Sequence, residues 1–448
     1  MNIVVLNGSP KGKYSISLQT VLYIQKHFED DHFEILHVGQ QIRQFEKDME
    51  SSIKKLMEAD LILFCYPVYT FIVPYQLHRF IELMKEHKVD LSGKFAAQIS
   101  TSMHFYDITA HKFVEENCLD LNMKYIHGLS AEMEDLLSEQ GQKDALKFWE
   151  YIHFCCKSDL YEASMKMPEP EKKLYQPVLP IAEKSDQFDT VIVTNCENND
   201  ENLKNMIAEF RNVYPYNTRV FNIREFLFSG GCLGCFNCAI SGKCIYKDGF
   251  DVFLREEIQK GAAIVFAFTI KDHSMGATFK RYDDRQFCNG HRTVTMGMPM
   301  GYIVSGEYSK EHNLKLIVEG RCEVGHNFLC GVATDEKDTA KSIKALSDKL
   351  TYALQNKLVL PQNFLGVGGM KIFRDLIYLM RGLMKEDHRF YKKHGIYDFP
   401  QKKVGTLIKM QLLGTLLSMP AVWKKVGNKM NEGMIAPYRK VIDKVNTH

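Results

Sequence analysis

Short apolar runs alternate with segments of helical periodicity in two separate stretches of the chain. In the first stretch the runs lie at residues 3–6, 33–38, 61–65, 95–99 and 125–129, and in the second at 190–194, 219–223, 263–268, 301–304 and 328–332. Helical spacing between the first runs is clear over residues 16–26, 49–58 and 75–85. Continuous apolar strands that alternate with helices are typical of parallel sheets covered on both faces. The pattern therefore predicts an α/β fold with two doubly wound parallel sheets in tandem.

A segment rich in proline and charge separates the two stretches. It contains Pro168, Pro170, Pro177 and Pro180, which predict a semi-rigid linker over residues 166–186. The first domain then covers residues 1–165 and the second covers residues 187–357. Beyond Pro361 the strand pattern stops, and residues 358–448 read as helices broken by Gly and Pro. We expect this basic helical C-terminal region to pack on the two domains.

Composition places the chain among ordinary globular proteins. It has 448 residues, of which 45% are hydrophobic and 25% charged. The sequence opens on an apolar strand rather than a signal peptide, and it has no uninterrupted apolar run long enough for a membrane span, so we expect a cytoplasmic protein. Twelve cysteines in such a chain indicate a reducing compartment, with thiols used for packing, metal binding or redox chemistry.

The net charge of +2 conceals a basic C-terminal region. Residues 371–444 contain 16 Lys and Arg against 6 Asp and Glu. The basic residues are mixed with apolar ones rather than grouped in blocks, so we do not expect nucleic-acid binding. A solvated basic face on packed helices is the favoured interpretation, and contact with an anionic membrane surface is the alternative. The same charge would also favour docking of an acidic electron carrier such as a ferredoxin or a flavodoxin.

A loop rich in Gly and Ser follows the first apolar run. It reads Asn7-Gly8-Ser9-Pro10-Lys11-Gly12-Lys13-Tyr14-Ser15-Ile16-Ser17, and a helical segment comes next. Backbone N–H groups at a helix N-terminus, hydroxyls and one cation are what a phosphate requires. The loop is neither the G-x-G-x-x-G dinucleotide motif nor a Walker P-loop. It predicts a phosphate site, and an ordinary polar loop is the alternative.

Two further loops follow the third and fourth predicted strands. Ligands of open α/β sheets bind outside the carboxyl ends of the strands, where the strand order reverses, so these loops should meet the first one in a single crevice. An aromatic and apolar loop suits the flat face of an isoalloxazine ring. The candidate ligand-binding residues in the two loops are Pro67, Val68, Tyr69, Thr70, Thr101, Ser102, Met103 and His104. A lone histidine such as His104 is more often a packing or hydrogen-bonding residue than a proton donor.

Together the loops resemble those of the flavodoxin-like NAD(P)H-dependent FMN reductase family, in which G-S-P-R-x-x-S-x-[ST] holds the phosphate. Here Lys replaces the usual Arg and one additional residue precedes the second Ser. The family's P-V-Y loop is present as Pro67-Val68-Tyr69. The resemblance covers about residues 1–160 and implies an FMN-binding first domain in which the flavin does the chemistry, with NAD(P)H as a donor. It implies no catalytic side chain. It gives Ser9, Pro10, Lys11, Ser15 and Ser17 as cofactor-binding residues, with Ser9, Lys11, Ser15 and Ser17 at the phosphate positions.

Four cysteines lie close together in the second domain. Cys232, Cys235, Cys238 and Cys244 have the spacing C-x2-C-x2-C-x5-C in a glycine-rich loop. Four thiolates so close in sequence can surround one inorganic core. Zinc sites more often consist of two separated C-x2-C pairs, so three cysteines at successive x2 spacing favour a [4Fe-4S] cluster. Zinc and unliganded or disulfide-paired thiols are the alternatives.

The spacing and position of this loop resemble those of the iron–sulfur flavoproteins of anaerobes, which belong to the same flavodoxin-like group and bind FMN beside the cluster. The [DE]-D-M stretch that follows their cysteines is matched only in part, by Lys247-Asp248-Gly249. The second domain also lacks both flavin loops, since Asn195-Cys196-Glu197 and Ile270-Lys271-Asp272 stand in their places. We therefore expect the flavin in the first domain and the cluster in the second.

Three functions follow from these observations. The first is an iron–sulfur flavoprotein that transfers electrons between a one-electron carrier and a two-electron acceptor or nicotinamide. The second is an NAD(P)H-dependent flavin or quinone reductase with a structural cysteine loop. The third is a non-catalytic binding or scaffold protein on a decayed flavodoxin fold, against which the intact Pro67-Val68-Tyr69 loop argues. The resemblance also allows a homodimer.

Overall fold

The computed structural model describes residues 1–162 and 174–426. It divides into two compact units, Met1–Phe390 and a second unit that begins at Tyr391. Both predicted α/β domains lie in the first unit, so the two sheets and their helices form one body.

The first sheet has the strand order β2-β1-β3-β4-β5, with every pair parallel and a short β6 beside β4. This 2-1-3-4-5 order is the flavodoxin-like doubly wound arrangement, so the fold prediction is confirmed. The strands are β1 (Asn2–Asn7), β2 (His32–Leu36), β3 (Leu61–Pro67), β4 (Phe95–Ser102), β5 (Lys124–Tyr125) and β6 (Leu129–Glu132). The helices around it are α1 (Ile16–His27), α2 (Val38–Phe45), α3 (Glu50–Glu58), α4 (Tyr75–Glu86), α5 (Asp107–Asp120) and α6 (Glu139–Ser158).

The second sheet repeats this order as β8-β7-β9-β10-β11, again all parallel. Its strands are β7 (Ser185–Thr194), β8 (Tyr216–Asn222), β9 (Ala263–Thr269), β10 (Pro299–Ser305) and β11 (Phe328–Thr334). Its helices are α7 (Glu201–Val213), α8 (Asn237–Ser241), α9 (Phe250–Phe253), α10 (Gly276–Arg285), α11 (His312–Gly325) and α12 (Thr339–Gln355). The tandem arrangement is therefore visible in the topology.

The hydrophobic cores join the two domains. Alternate side chains of β3 point to opposite faces of the first sheet, with Phe64 in one core and Leu63 in another. The core that contains Phe64 also contains Phe266 and Tyr302 from the second sheet. Each sheet thus turns one face toward its own helices and the other toward a core that both domains share. Neither domain buries all of its apolar surface alone.

Four helices follow the second domain: α13 (Phe364–Leu379), α14 (Lys385–Lys393), α15 (Val404–Leu417) and α16 (Pro420–Val426). Helix α13 packs on both domains of the first unit. Asn363 caps its first turn, Gln362 donates to the Glu323 carbonyl, and Tyr106 of the first domain donates to the Leu365 carbonyl at 3.1 Å. None of the described helices is both long and apolar enough to cross a membrane.

Candidate functional site

Three loops at the carboxyl edge of the first sheet line one cleft, as the strand order requires. The loops follow β1, β3 and β4. Residues from all three loops line the cleft, and apolar side chains make up most of its wall. Of the residues proposed from the sequence, those that line it are Ser9, Lys11, Ser15, Pro67, Val68, Tyr69, Thr70, Thr101, Ser102 and Met103.

The loop after β1 is folded tightly against its surroundings. Asn7 donates through Nδ2 to the Gly12 carbonyl at 2.9 Å and accepts at Oδ1 from the Ser9 N–H. Gly12 has a φ of +55°, a conformation that favours glycine. At Gly8 a Cβ would lie 2.6 Å from the side chain of Leu77, so only glycine lets the loop approach α4 this closely.

Ser15 precedes α1 as its N-cap residue but makes no capping hydrogen bond. Its hydroxyl and the positive end of the α1 dipole thus meet at the wall of the cleft, with Ser9 and Lys11 in the same wall. This set of donors fits an anionic phosphate group.

Three of the proposed flavin residues lie elsewhere. Pro10 is in the loop but does not line the cleft. Ser17 is buried, and its hydroxyl is 2.7 Å from that of Thr101. His104 is about half exposed and pairs with Asp107 at 2.7 Å. Their assignment to the cofactor stays a prediction, and Ser17 can act on the cleft only through Thr101.

The loop after β3 forms a very tight turn. The Tyr69 and Ile72 backbones exchange hydrogen bonds, and Thr70 and Phe71 adopt φ values of +43° and +74°. Left-handed backbone at two consecutive non-glycine residues is strained, and it persists where the surroundings fix it. Here the second domain supplies that support, because Lys280 donates to the carbonyls of Tyr69 and Thr70.

The four-cysteine loop of the second domain closes the cleft. Cys232, Cys235, Cys238 and Cys244 all line it, opposite the flavin loops of the first domain. Gly234 lies so close to Tyr69 that an added Cβ would be 1.9 Å from the phenol oxygen. On the other side, the Lys11 ammonium lies 5.5 Å from the Phe236 ring centre. The two predicted cofactor sites are therefore neighbours in one cavity.

A buried ion pair holds the base of the cysteine loop. Arg285 makes two hydrogen bonds of 2.8 Å to Asp248 and a third of 2.9 Å to the Gly230 carbonyl. Burial raises the pKa of Asp248, but the bonds from Arg285 and the Ser229 N–H outweigh it and lower the pKa to about 2. Arg285 also stacks on Tyr246 at 4.4 Å. Asp248 is the residue that matched the [DE]-D-M stretch, and its role is to anchor the loop.

The spacing of the four sulfur atoms bears on which group they could hold. A tetrahedral zinc site with bonds of about 2.3 Å places its sulfurs about 3.8 Å apart. In the part of the chain that the structure describes, no three of the four Sγ atoms lie within 4.8 Å of one another. The sulfur atoms therefore do not form a closed tetrahedral site in this structure. Two donors already face the sulfurs, with the Gly234 N–H 3.5 Å from Cys232 and Arg285 3.9 Å from Cys244.

Helices α4 and α10 cap each other reciprocally. Asp284 near the end of α10 accepts from the Tyr75 N–H at the start of α4 at 2.8 Å. Glu82 on α4 accepts from the Ala277 N–H at the start of α10 at 2.7 Å. Exchange of equivalent contacts is the pattern of a two-fold dimer interface, here formed inside one chain. The sequence analysis missed these residues.

The reciprocal caps are not equal in their surroundings. Asp284 forms a 2.6 Å ion pair with Lys280, and both side chains are buried. Burial raises the pKa of the Asp284 carboxyl above its ordinary value. Glu82 instead pairs with Arg79 and Lys271, which are both partly exposed. The Asp284 cap, which lies against the β3 loop of the first domain, is thus less accessible to solvent than the Glu82 cap.

The corresponding crevice of the second domain is polar. Its turn at Lys271–Ser274 has the same exchanged hydrogen bonds as Tyr69–Ile72, and Asp272 and His273 have the same left-handed backbone as Thr70 and Phe71. Carboxylates and amides line it, including Glu82, Glu197, Asp200, Asn195 and Asn199. Asp200 accepts hydrogen bonds from Thr269 and from the Glu197 N–H. The two cations in its lining, Arg224 and Lys271, are already paired with Glu197 and Glu82. A phosphate would therefore meet carboxylates here, so this crevice does not fit a flavin nucleotide.

His273 links the domains beside this second crevice. It lies between Asp120 of the first domain and Glu311 of the second, at 3.1 Å from each. Burial lowers the pKa of His273, but these two carboxylates overcome the effect and raise it to about 10. The interface therefore stabilises the protonated, positively charged form of His273.

Comparison with known proteins supports the first-domain assignment. Residues 1–131 match the family described as NADPH-dependent FMN reductase. No curated protein sequence matches the chain at a significant level. The match covers the β1, β3 and β4 loops that line the cleft and leaves the cysteine loop outside it.

Solved structures resemble the chain over about a third of its length. They include Smu.1420 from Streptococcus mutans (17% identity, 34% of this chain and 98% of that one, TM-score 0.27). Two others are an FMN-dependent NADH-azoreductase from Bacillus anthracis with FMN (11%, 35% and 98%, 0.27) and general stress protein 14 from Treponema denticola with FMN (12%, 34% and 98%, 0.29). The geometry of the cleft and the family match over residues 1–131 support an FMN-dependent oxidoreductase.

Proposed function

We propose that the protein is an FMN-dependent oxidoreductase with FMN in the cleft of the first domain and a [4Fe-4S] cluster on Cys232, Cys235, Cys238 and Cys244. One observation carries the proposal. The four cysteines and the flavin loops, which come from different domains, line the same cavity. Two redox groups bound side by side in this cavity could pass electrons to each other inside the protein. FMN accepts two electrons as hydride and can release them singly, which is what a relay between nicotinamide and a one-electron carrier requires.

The chain's own residues would bind and orient the cofactors. Ser9, Ser15 and Lys11 would hold the phosphate at the start of α1. The Tyr69–Ile72 turn would present backbone groups to the polar edge of the ring, and Met103 and Phe236 would exclude water from its faces. Gly234 and Arg285 would direct N–H donors at the cysteine sulfurs, which stabilises negative charge on them.

NAD(P)H is the proposed electron donor, by analogy with the matched family. A ferredoxin or flavodoxin is the proposed one-electron partner, because the C-terminal helices present an excess of positive charge. Since free thiols and such a cluster persist in a reducing compartment, we place the protein in the cytoplasm. A homodimer is not required for the site, because both halves come from one chain.

Cofactor analysis of anaerobically purified protein tests the proposal. We expect about one FMN, four iron atoms and four acid-labile sulfides per chain, with broad visible absorption beneath and beyond the flavin bands. Flavin with no iron in protein made under iron-replete anaerobic conditions would favour the second candidate, an NAD(P)H-dependent flavin or quinone reductase with a structural cysteine loop. The family match over residues 1–131, which excludes the cysteines, is the observation that keeps this candidate open. Absence of both cofactors would contradict both proposals.

A further inference from the structure

Helix α15 in the second unit is apolar on every side and exposed. Seven of its eight large apolar residues are exposed, and Leu412 keeps 61% of its surface accessible. The seven are Val404, Leu407, Ile408, Met410, Leu412, Leu413 and Leu416. A surface helix of a globular protein normally has one apolar stripe, and an apolar surface of this size on a soluble protein marks a site of interaction.

The charge around α15 has a single sign. Lys402 and Lys403 precede it, Lys409 lies within it, and Lys424 and Lys425 follow in α16. No acidic residue occurs between Asp398 and Glu432. An apolar helix that docks in a protein groove needs no such bias, whereas lysines on both flanks complement the phosphates of an anionic lipid surface.

The length of α15 limits how it can meet a bilayer. Its 14 residues span about 21 Å, less than the roughly 30 Å of a hydrocarbon core. It ends at Leu417, and α16, which begins at Pro420, carries the half-exposed Trp423 beside Lys424 and Lys425. A tryptophan next to lysines is typical of the headgroup level of a membrane. A short apolar helix followed by such a turn suits insertion into one leaflet rather than passage across it.

We propose that α15 and α16 bind the surface of an anionic membrane, with α15 among the acyl chains of one leaflet and the lysines at the phosphates. The protein would then be a peripheral membrane protein attached through its second unit. This binding does not depend on either cofactor.

Vesicle co-sedimentation of the full-length protein tests the proposal. The protein should sediment with vesicles made of equal parts phosphatidylcholine and phosphatidylglycerol. With vesicles of pure phosphatidylcholine, the amount of protein in the pellet should be at least ten times lower. Salt should weaken the binding but not abolish it, since the apolar contact is not screened. Equal binding to both kinds of vesicle would contradict the role given to the lysines.

The double substitution Leu412→Asp with Leu416→Asp should reduce binding to anionic vesicles at least tenfold. The matched control is Leu227→Asp, which changes an even more exposed leucine, 88% accessible, in the first unit and should leave binding unchanged. Iron and flavin content should be the same in all three proteins. Binding that survives the double substitution overturns the proposal. So does wild-type protein that ignores vesicles but self-associates through α15, because its partner is then a second copy of the chain.

Discussion

The two crevices of this molecule share a backbone and differ in chemistry. Each follows a 2-1-3-4-5 parallel sheet, and each has a tight turn after its third strand with two left-handed residues. The first is lined mainly by hydroxyl, thiol and apolar side chains with Lys11 and Arg285, and the second by carboxylates and amides with Arg224 and Lys271. The turn is therefore a property of the fold, whereas the ligand is selected by the side chains around it.

The largest effect should come from the cysteine loop, which only the second domain contributes. Cys235 is exposed, so Cys235→Ser should leave the fold intact while it removes one ligand of the proposed cluster. We expect most of the iron to be lost and the FMN to be retained, by metal analysis and flavin fluorescence of anaerobically purified protein. Cys330→Ser, in the core of the same domain, is the control and should keep its iron. Equal loss in both variants would mean that the loop does not hold the metal.

Removal of each of the two reciprocal caps should lower the free energy of unfolding by a different amount. Asp284→Ala leaves the Lys280 ammonium buried without its partner, so we expect a loss of about 3–5 kcal/mol in the free energy of unfolding. Glu82→Ala removes the equivalent cap, but Arg79 and Lys271 can turn to solvent, and the loss should be about 1–3 kcal/mol.

Urea denaturation of both variants measures the difference. If Asp284→Ala does not fold, Asp284→Asn keeps the shape and tests the charge alone. Equal losses in the free energy of unfolding would show that the buried ion pair between Lys280 and Asp284 contributes no stability beyond the helix cap.

The phosphate end of the first crevice should respond to Ser15. Ser15→Ala would remove the proposed hydrogen bond to the phosphate, worth about 1.5–3 kcal/mol for a charged acceptor, so FMN should bind roughly 10- to 150-fold more weakly. Asn198→Ala, in the loop after the first strand of the second domain, should leave FMN binding unchanged. Titration of apoprotein with FMN gives both values. Weaker FMN binding in the Asn198 variant would indicate that the flavin binds in the crevice of the second domain and would contradict the prediction.

The smallest effect concerns pH. The pKa of His273 is raised to about 10 in the folded protein from about 6.5 when unfolded, so the folded state binds the proton more tightly. Its stabilising contribution is complete below pH 6.5 and disappears as the pH rises toward 10. We expect this loss to be on the order of 1–2 kcal/mol, since His273 is partly exposed.

Thermal unfolding between pH 6 and pH 10 measures this contribution. His273→Phe introduces the residue type that Phe71 supplies at the corresponding turn of the first domain, and it should flatten the profile over this range. A variant with the wild-type profile would assign the pH dependence to other groups.

The sheet pattern could be predicted from the sequence because strands buried on both faces are continuous apolar runs. Leu61–Pro67 and Ala263–Thr269 are buried along nearly their whole length and correspond to two of the predicted runs. The fifth strand of the first domain was predicted as one run, but the structure breaks it into β5 and β6 around Gly128, which packs on Gln98. Local hydrophobicity does not reveal such a contact.

Within the site, sequence spacing located the loops but not the direction of each side chain. Ser17 and Ser15 look equivalent in the motif, yet Ser17 lies two positions further along, inside α1, and turns toward Thr101. The reciprocal caps could have been predicted from equal spacings in the two halves of the sequence. Tyr75 and Glu82 are seven residues apart on a helix after the third strand, as are Ala277 and Asp284. Alignment of the two halves by their third strands would have paired them.

The mutual capping of α4 and α10 also governs the order in which the chain can become stable. Asp284 follows Tyr75 by 209 residues, so a growing chain exposes the start of α4 long before its acceptor is made. At translation speeds of 5–20 residues per second this interval is roughly 10–40 s. Throughout that time the first sheet also lacks the apolar partners that Phe266 and Tyr302 provide. A nascent chain of this protein is therefore open to chaperones and to proteases until the third strand and helix of its second half have left the ribosome.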